Sequence, residues 1–317
     1  MRSLGGYLEL ELGRGEAYHA SLVGLNTGRN ALEYILRANG YKKVYLPGYT
    51  CVAVLEPILR AGLDHAFYSI DQDLRPQVDV RTVEEDAAFL YTNYFGVCDA
   101  HVAGLAKQCG RLVVDNAQAF YAKPPEGVDA FYSARKFFGV PDGGYASTRA
   151  RLDAPLEDDI SYTRCTHLLQ RHDLGPEKGY AAYQEAEVAL DGLPMRSMSR
   201  LTQALMSSID YAGVADRRRI NYALLHAALG GSNRLRLPAL GDAVPMAYPF
   251  WTSEPGLRQH LVEARIYTAQ YWPNVSETAP VGSIDMDLAT NLIALPVDQR
   301  LTKEDVQRIV ELVDTGR

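Results

Sequence analysis

Residues 111–148 read RLVVDNAQAFYAKPPEGVDAFYSARKFFGVPDGGYAST, and two apolar runs within this stretch decide the fold. RLVVDNA (111–117) and DAFYSA (129–134) are strand-like. Asp115 lies at the end of the first run, and Lys136 closely follows the second. If both strands lie parallel in one sheet, their carboxyl ends share the edge at which open α/β sheets bind ligands.

The stretch before residue 111 alternates strand-like and helix-like patterns, which indicates βα units and a mainly parallel sheet. The strand candidates are KVYLP (43–47), HAFYSI (65–70) and AAFLYTN (87–93). The helix candidates are LNTGRNALEYILRANG (25–40), residues 51–61 and VAGLAKQCG (102–110).

The pattern changes from about Ser199, where a long helical stretch runs to Gly230-Gly231. Strand-like AYPFWTS, a helix around residues 256–266, strand-like LIALPV and a final helix follow it. Thr302 caps that last helix in a pattern close to a capping box. We therefore predict a large domain over residues 1–205 and a smaller C-terminal α+β domain over 206–317.

The 317-residue chain carries a net charge of −7, which argues against a general nucleic-acid binder. Its four cysteines form no CxxC pair, and no histidine and carboxylate set has metal spacing, so we expect no metal. With no signal-peptide or membrane-spanning pattern at hand, we expect a cytoplasmic protein.

Lys136 is the centre of the functional hypothesis. It lies in FYSARKFFG, flanked by Phe131, Tyr132, Phe137 and Phe138. A partly buried lysine has a lowered pKa and is a usable amine nucleophile, as a Schiff-base lysine requires. The alternative is an ordinary lysine at the end of a strand.

Asp115 and Gln118 fit a pyridine cofactor. A carboxylate at this sheet edge can pair with a protonated pyridine nitrogen and make the ring an electron sink. Gln118, three residues further on, could hydrogen-bond the phenolic oxygen. The alternative for Asp115 is a helix N-cap, which is common after a strand.

Further candidates surround the same edge. Gly28 and Arg29 begin the first strong helix, so their backbone amides could bind a phosphate, and Ser133 could add a hydroxyl. Taken alone, this segment is a plain helix start. Asn93 and Tyr94 close another strand and could face the ring or substrate, although Asn-Tyr-Phe-Gly is also typical of a turn.

A basic segment, SYTRCTHLLQRHD (161–173), stands out in this acidic chain. Arg164 and His167 within it could bind an anionic substrate such as a nucleotide diphosphate. The alternatives are a solvated helix face and a buried histidine.

The ordered set of motifs resembles the DegT/StrS family, the nucleotide-sugar aminotransferases of fold-type-I pyridoxal-phosphate enzymes. The similar segments, which span most of the chain, are NTGRNAL, VYLPGYTCVAVLEPILRAGL, FYSIDQD, VDNAQAF, SARKFFGVPDGGYAST, ARIYTAQYWP and LIALPVDQRLTKEDVQRIVELV.

The resemblance implies a fold-type-I homodimer that transfers an amino group, usually from glutamate, to a nucleotide-linked keto-sugar in polysaccharide or secondary-metabolite biosynthesis. Lys136 would hold pyridoxal 5'-phosphate covalently and move the proton. Asp115 would bind the pyridinium, Gln118 would face the phenolic oxygen, and the amides of Gly28 and Arg29 would bind phosphate.

The chain differs from the family at three places. Cys51 replaces the aromatic residue that stacks on the ring, so stacking would come from elsewhere, for example from Tyr49. Phe131 replaces the usual phosphate serine, for which Ser133 would substitute. PMRSMS (194–199) is a reduced form of the segment that reaches the partner subunit's cofactor.

Two other functions remain open at this stage. One is a different reaction on the same cofactor, such as elimination or racemisation. The other is a non-catalytic sensor or assembly protein that binds the cofactor or a nucleotide, which the differences at Cys51 and PMRSMS motivate. The presence of Lys136 argues against the family's dehydratase branch, in which this lysine is replaced.

Overall fold

The computed structural model describes residues 4–316, and a seven-stranded sheet lies at its centre in the order β1-β7-β6-β5-β4-β2-β3. The strands are β1 (Val23–Leu25), β2 (Lys43–Pro47), β3 (Asp64–Tyr68), β4 (Ala87–Thr92), β5 (Leu112–Asn116), β6 (Asp129–Ser133) and β7 (Gly144–Ser147). Strands β2 to β6 are parallel, whereas β7 is antiparallel to both β6 and β1. The predicted mainly parallel sheet is confirmed; the short strands β1 and β7 were not predicted.

Eleven helices and a two-stranded antiparallel sheet complete the described residues. The helices are α1 (Gly28–Asn39), α2 (Leu55–Arg60), α3 (Asp99–Ala106), α4 (Thr166–Leu174), α5 (Pro176–Val188), α6 (Arg200–Ser207), α7 (Tyr211–Leu229), α8 (Leu257–Glu263), α9 (Val275–Thr278), α10 (Ile284–Asn291) and α11 (Lys303–Thr315). The second sheet pairs β8 (Ala247–Trp251) with β9 (Leu292–Pro296). No helix within residues 4–316 combines the length and apolar character needed to cross a membrane.

Helix α1 forms where the sequence predicts it, because its N-cap, its apolar face and its terminal glycine all lie within one short segment. Thr27 caps it by accepting the Asn30 N–H at 3.0 Å, and its apolar face is fully buried against the sheet. Gly40 ends it in a left-handed conformation (φ 69°) that glycine adopts at little cost. Helix α11 likewise has the predicted Thr302–Asp305 capping box.

The predicted long helix after Ser199 is two helices. The chain breaks at residues 208–210, and Asp210 starts α7 by accepting the Gly213 N–H at 3.0 Å. An aspartate such as Asp210 fits either the cap of a new helix or an exposed position within one continuous helix. The apolar spacing alone therefore did not reveal the break. The predicted domain change at residues 205/206 falls inside α6, and it stays a prediction; the limits drawn at residues 1 and 317 lie outside the described residues.

Helices α4 and α5 form a hairpin that is tied to both halves of the chain. Arg135, next to Lys136, pairs with Glu187 of α5. At the other end of α5, Glu177 accepts hydrogen bonds from Arg265 at 2.5 Å and from the Tyr267 hydroxyl at 2.6 Å. The hairpin therefore spans from the Lys136 turn to the segment after α8.

Acid is expected to destabilise the fold through His19, whose ring lies 4.3 Å from that of Tyr132 and whose Nε2 lies 2.7 Å from the Phe120 carbonyl oxygen. Burial lowers the pKa of His19 from 6.5 to about 4. The unfolded chain therefore binds a proton first as the pH falls below 6.5, and the folded state loses stability between there and pH 4. From pH 7 to pH 5 this group should cost about 2 kcal/mol of unfolding free energy.

The measurement is denaturant unfolding at pH 7 and pH 5. His19→Gln keeps an N–H donor but does not titrate, so its loss between the two pH values should be smaller by that amount. His172→Gln, at an exposed position, is the control. Equal acid losses in the wild type and His19→Gln would contradict the expectation.

Candidate active site

Asp115 and Lys136 meet at the carboxyl edge of the parallel sheet. Asp115 is the penultimate residue of β5 and is 6% exposed, and its Oδ1 accepts the Ala117 N–H at 2.8 Å. Burial raises the pKa of the Asp115 carboxyl, while the Lys136 ammonium and the Ala117 N–H lower it. The parallel register that sets Asp115 opposite Phe131, and the turn that follows β6, bring these two groups, 21 positions apart in sequence, to the same sheet edge.

Lys136 ends a 3-10 turn (Ala134–Lys136) that directly follows β6. Its side chain is half-buried, and its Nζ lies 6.0 Å from the centre of the Tyr271 ring. Among residues 4–316 no hydrogen bond or ion pair holds this amine. The amine is therefore available to a ligand at the sheet edge.

Gln118 carries an unused hydrogen-bond donor into the same region. It is 1% exposed, and its Oε1 accepts the Phe95 N–H at 2.8 Å, which fixes the orientation of the amide. Its Nε2 is buried and has no partner within the described residues. A buried donor without a partner costs roughly 1–3 kcal/mol, so an acceptor such as a ligand oxygen is the expected occupant.

The start of α1 forms an anion cradle with the end of β6. The amides of Gly28 and Arg29 have no acceptor in the described part of the chain. A Cβ on Gly28 would lie 3.4 Å from the Ser133 Cβ, so the start of α1 lies directly against the end of β6. The Arg29 side chain points away and pairs with Glu56 and Asp191. The backbone amide of Arg29 therefore remains as the group that could bind an anion, as predicted.

Two glycines of the PDGG segment build the wall of this cradle, a role that the sequence motif did not reveal. The Gly143 N–H donates to the Asn26 carbonyl at 2.7 Å. A Cβ on Gly144 would lie 2.3 Å from the Thr27 carbonyl oxygen. Strand β7 thus packs directly on the peptide that joins Thr27 to Gly28, and only glycine permits that approach.

Asn93 and Tyr94 are both engaged within the protein. The Asn93 side chain donates to Asp99 at 2.7 Å and to Asn116 at 3.1 Å, and it accepts the Cys98 N–H at 3.0 Å. Tyr94 is fully buried, and its hydroxyl donates to the Tyr49 carbonyl at 2.9 Å. Asn93 therefore makes the turn contacts that the sequence offered as the alternative, and Tyr94 makes contacts within the core.

Cys51 and Tyr49 bear on the predicted ring stacking in different ways. Cys51 is half-buried, whereas Tyr49 is fully buried, stacks on Tyr94 with ring centres 5.6 Å apart, and meets the Trp272 ring at 4.9 Å. The ring of Tyr49 is thus committed to the core.

Tyr271 is the aromatic side chain that the sequence reasoning missed. Burial raises the pKa of its hydroxyl, and its ring centre lies 6.0 Å from the Lys136 Nζ, so it is the aromatic ring near the reactive amine. It lies in ARIYTAQYWP, which resembles a family segment, but nothing in that segment singled it out.

Arg164 and His167 do not form an open anion-binding patch. The Arg164 side chain is 10% exposed and pairs with Asp142 and Asp159. His167 is 7% exposed, its ring meets the edge of Tyr183 at 5.8 Å, and burial lowers its pKa. The positive charge of Arg164 is neutralised within the protein, because Asp142, 22 positions away, and Asp159, five positions away, both pair with it. No cluster suited to a metal ion occurs among residues 4–316.

No protein-family model matches the sequence, and no curated protein matches it. Solved structures match its fold. DesV of S. venezuelae is 20% identical, with a TM-score of 0.63, over 93% of this chain and 84% of its own. Sugar aminotransferase CalS13 from Micromonospora echinospora is 20% identical, with a TM-score of 0.61, over 94% and 88%. A DegT DnrJ EryC1 StrS aminotransferase from Brucella abortus is 16% identical, with a TM-score of 0.61, over 93% and 85%.

At these identities the matches show the fold. They confirm the predicted fold-type-I architecture over most of the chain. The predicted likeness to the DegT/StrS group is confirmed at the level of the fold, because an aminotransferase of that group is among the matched structures.

Gly144→Ala is expected to lower the unfolding free energy by about 2 kcal/mol or more, because its methyl group would meet backbone atoms that cannot move aside. Gly139→Ala is the matched control, since its nearest contact would be the Leu168 side chain at 3.8 Å. Denaturant unfolding measures both. A Gly144→Ala protein as stable as the control would show that the cradle wall is not packed as described.

Proposed function

We propose that this chain is a pyridoxal-phosphate-dependent aminotransferase that acts on a keto-sugar. The observation that carries the proposal is the convergence of Lys136 and Asp115 on one sheet edge, with an anion cradle beside them. The fold, shared with sugar aminotransferases, supports it.

The residues present fit the cofactor. The buried Nε2 of Gln118 lacks an acceptor, and the cradle at Gly28 offers free amides beside Ser133. Pyridoxal phosphate has the complementary groups: a phenolic oxygen, a phosphate, a pyridine nitrogen for the carboxylate of Asp115 and an aldehyde for the amine of Lys136.

When bound, pyridoxal phosphate supplies an electron sink for the carbon that loses its proton. Asp115 would keep the pyridine nitrogen protonated, because a buried carboxylate gains from a positive partner. Lys136 Nζ would hold the aldehyde of the cofactor and would act as the base that accepts and returns the proton. The cradle amides would hold the phosphate by charge-assisted hydrogen bonds.

We further propose glutamate as amino donor, a nucleotide-linked keto-sugar as acceptor, a cytoplasmic location and a role in polysaccharide or secondary-metabolite biosynthesis, as the resemblance implies. We also propose a homodimer. Large apolar side chains exposed near the N-terminus support it, since such patches mark interaction sites. These side chains are Leu4, Tyr7, Leu8 and Leu10, which are 66–99% exposed.

The purified protein is expected to be yellow, and borohydride should remove its visible band and leave a pyridoxyl group on Lys136, detected by peptide mass. Glutamate should shift the band and release 2-oxoglutarate, which elimination or racemisation would not produce. Lys136→Arg should lose the band, while Lys178→Arg, at an exposed position, should keep it. A colourless protein that takes up no added cofactor would overturn the proposal.

Asp115→Asn is expected to lower kcat by about a hundredfold or more, because a neutral amide no longer keeps the ring nitrogen protonated. Cofactor should still bind through the cradle and Lys136. Steady-state kinetics with absorbance at saturating cofactor measures both effects, with the exposed Asp153→Asn as control. Unchanged kcat in Asp115→Asn would remove Asp115 from the mechanism.

A further inference from the structure

The carbonyl of Phe137, immediately after Lys136, receives two hydrogen bonds from the second half of the chain. Gln299 Nε2 donates to it at 2.9 Å, and Arg218 Nη2 donates at 3.3 Å. Arg218 Nε also donates to Gln299 Oε1 at 3.1 Å. The three hydrogen bonds link the Phe137 carbonyl, Gln299 and Arg218 to one another. Phe137 follows the turn that carries Lys136, and a carbonyl at the end of a helical turn would otherwise lack a partner.

Arg218 is an unusual group to bury for packing alone. It is 2% exposed, and no carboxylate lies within ion-pair distance of it among residues 4–316. Its Nη1 donates to the Pro245 carbonyl at 3.3 Å and to the Met246 carbonyl at 3.0 Å, and its guanidinium lies 4.5 Å from the centre of the Phe137 ring. A buried charge is costly, so its retention among carbonyls indicates a role that needs several directed donors at once.

The groups that hold Phe137 are themselves fixed. Asn221, one turn along α7 from Arg218, donates to the Val297 and Asp298 carbonyls, both at 3.2 Å. The loop that carries Gln299 is thereby fastened to α7. Residues from α7, from the approach to β8 and from the loop after β9 therefore converge on the Lys136 turn.

We propose that Arg218 and Gln299 are positioning residues that set the geometry of Lys136 by clamping the Phe137 carbonyl. The clamp ties the reactive amine to the C-terminal half of the chain, although neither residue contacts the amine. This inference rests on the proposed function, because it assigns the clamp to the alignment of a cofactor-binding lysine.

The test uses cofactor-loaded Gln299→Met, which removes the donor to Phe137 without adding charge, and Gln307→Met, the same change at an exposed position. Arg218→Lys keeps the charge but loses the forked donors, and the exposed Arg217→Lys is its control. The readouts are the pH midpoint of the visible band, kcat and KM for the amino donor, and unfolding free energy.

Gln299→Met should shift the band midpoint by about half a pH unit or more and lower kcat about tenfold or more, with KM changed less than about threefold. Arg218→Lys should do the same more strongly, and both controls should match the wild type. A normal midpoint in Gln299→Met, even with reduced stability, would overturn the clamp and leave the aminotransferase proposal standing. A wild-type protein without a visible band would instead overturn the proposed function.

Discussion

The parallel pairing of β5 with β6 is the constraint on which the rest of the site depends. In this register Asp115 lies opposite Phe131, so the two strands end together and the chain beyond β6 turns directly into the segment of Lys136. The antiparallel return of β7 then sets Gly144 opposite Ser133 and against the start of α1. A carboxylate, an amine and an anion cradle thus come from three places in the sequence to one edge.

The sequence predicted the elements of the fold whose signals lie within the element itself. Strands β2 to β6 are short apolar runs bounded by turn residues, and α1 has its cap, apolar face and terminal glycine in one segment. Strands β1 and β7 escaped prediction because they hold few residues and their identity depends on pairing with each other. The hairpin of α4 and α5 was hidden for a related reason: its helices lack a strong apolar face, and exposed tyrosines and charges cover them.

Site residues whose position follows from the backbone, such as those at strand ends, could be predicted from the sequence. Site residues whose role depends on side-chain partners elsewhere in the chain could not. Asp115, Lys136 and Gly28 follow from strand ends and a helix start. The pairing of Arg164 could be read from its surroundings in sequence only in part, because Asp159 lies five positions away but Asp142 lies 22 positions away and becomes a neighbour only in the fold. The clamp on Phe137 has the same origin, since its donors come from residues that only the folded C-terminal half brings together.

The two anchors of the α4–α5 hairpin differ in their exposure to solvent. Glu187 and Glu177 are similarly exposed, at 41% and 44%, but Arg135 is only 18% exposed whereas Arg265 is 69% exposed. Dissolved ions weaken attraction between exposed charges much more than between shielded ones. Raising the ionic strength would therefore weaken the attachment of the hairpin to the C-terminal half more than its attachment beside Lys136, so salt concentration would change the two attachments unequally.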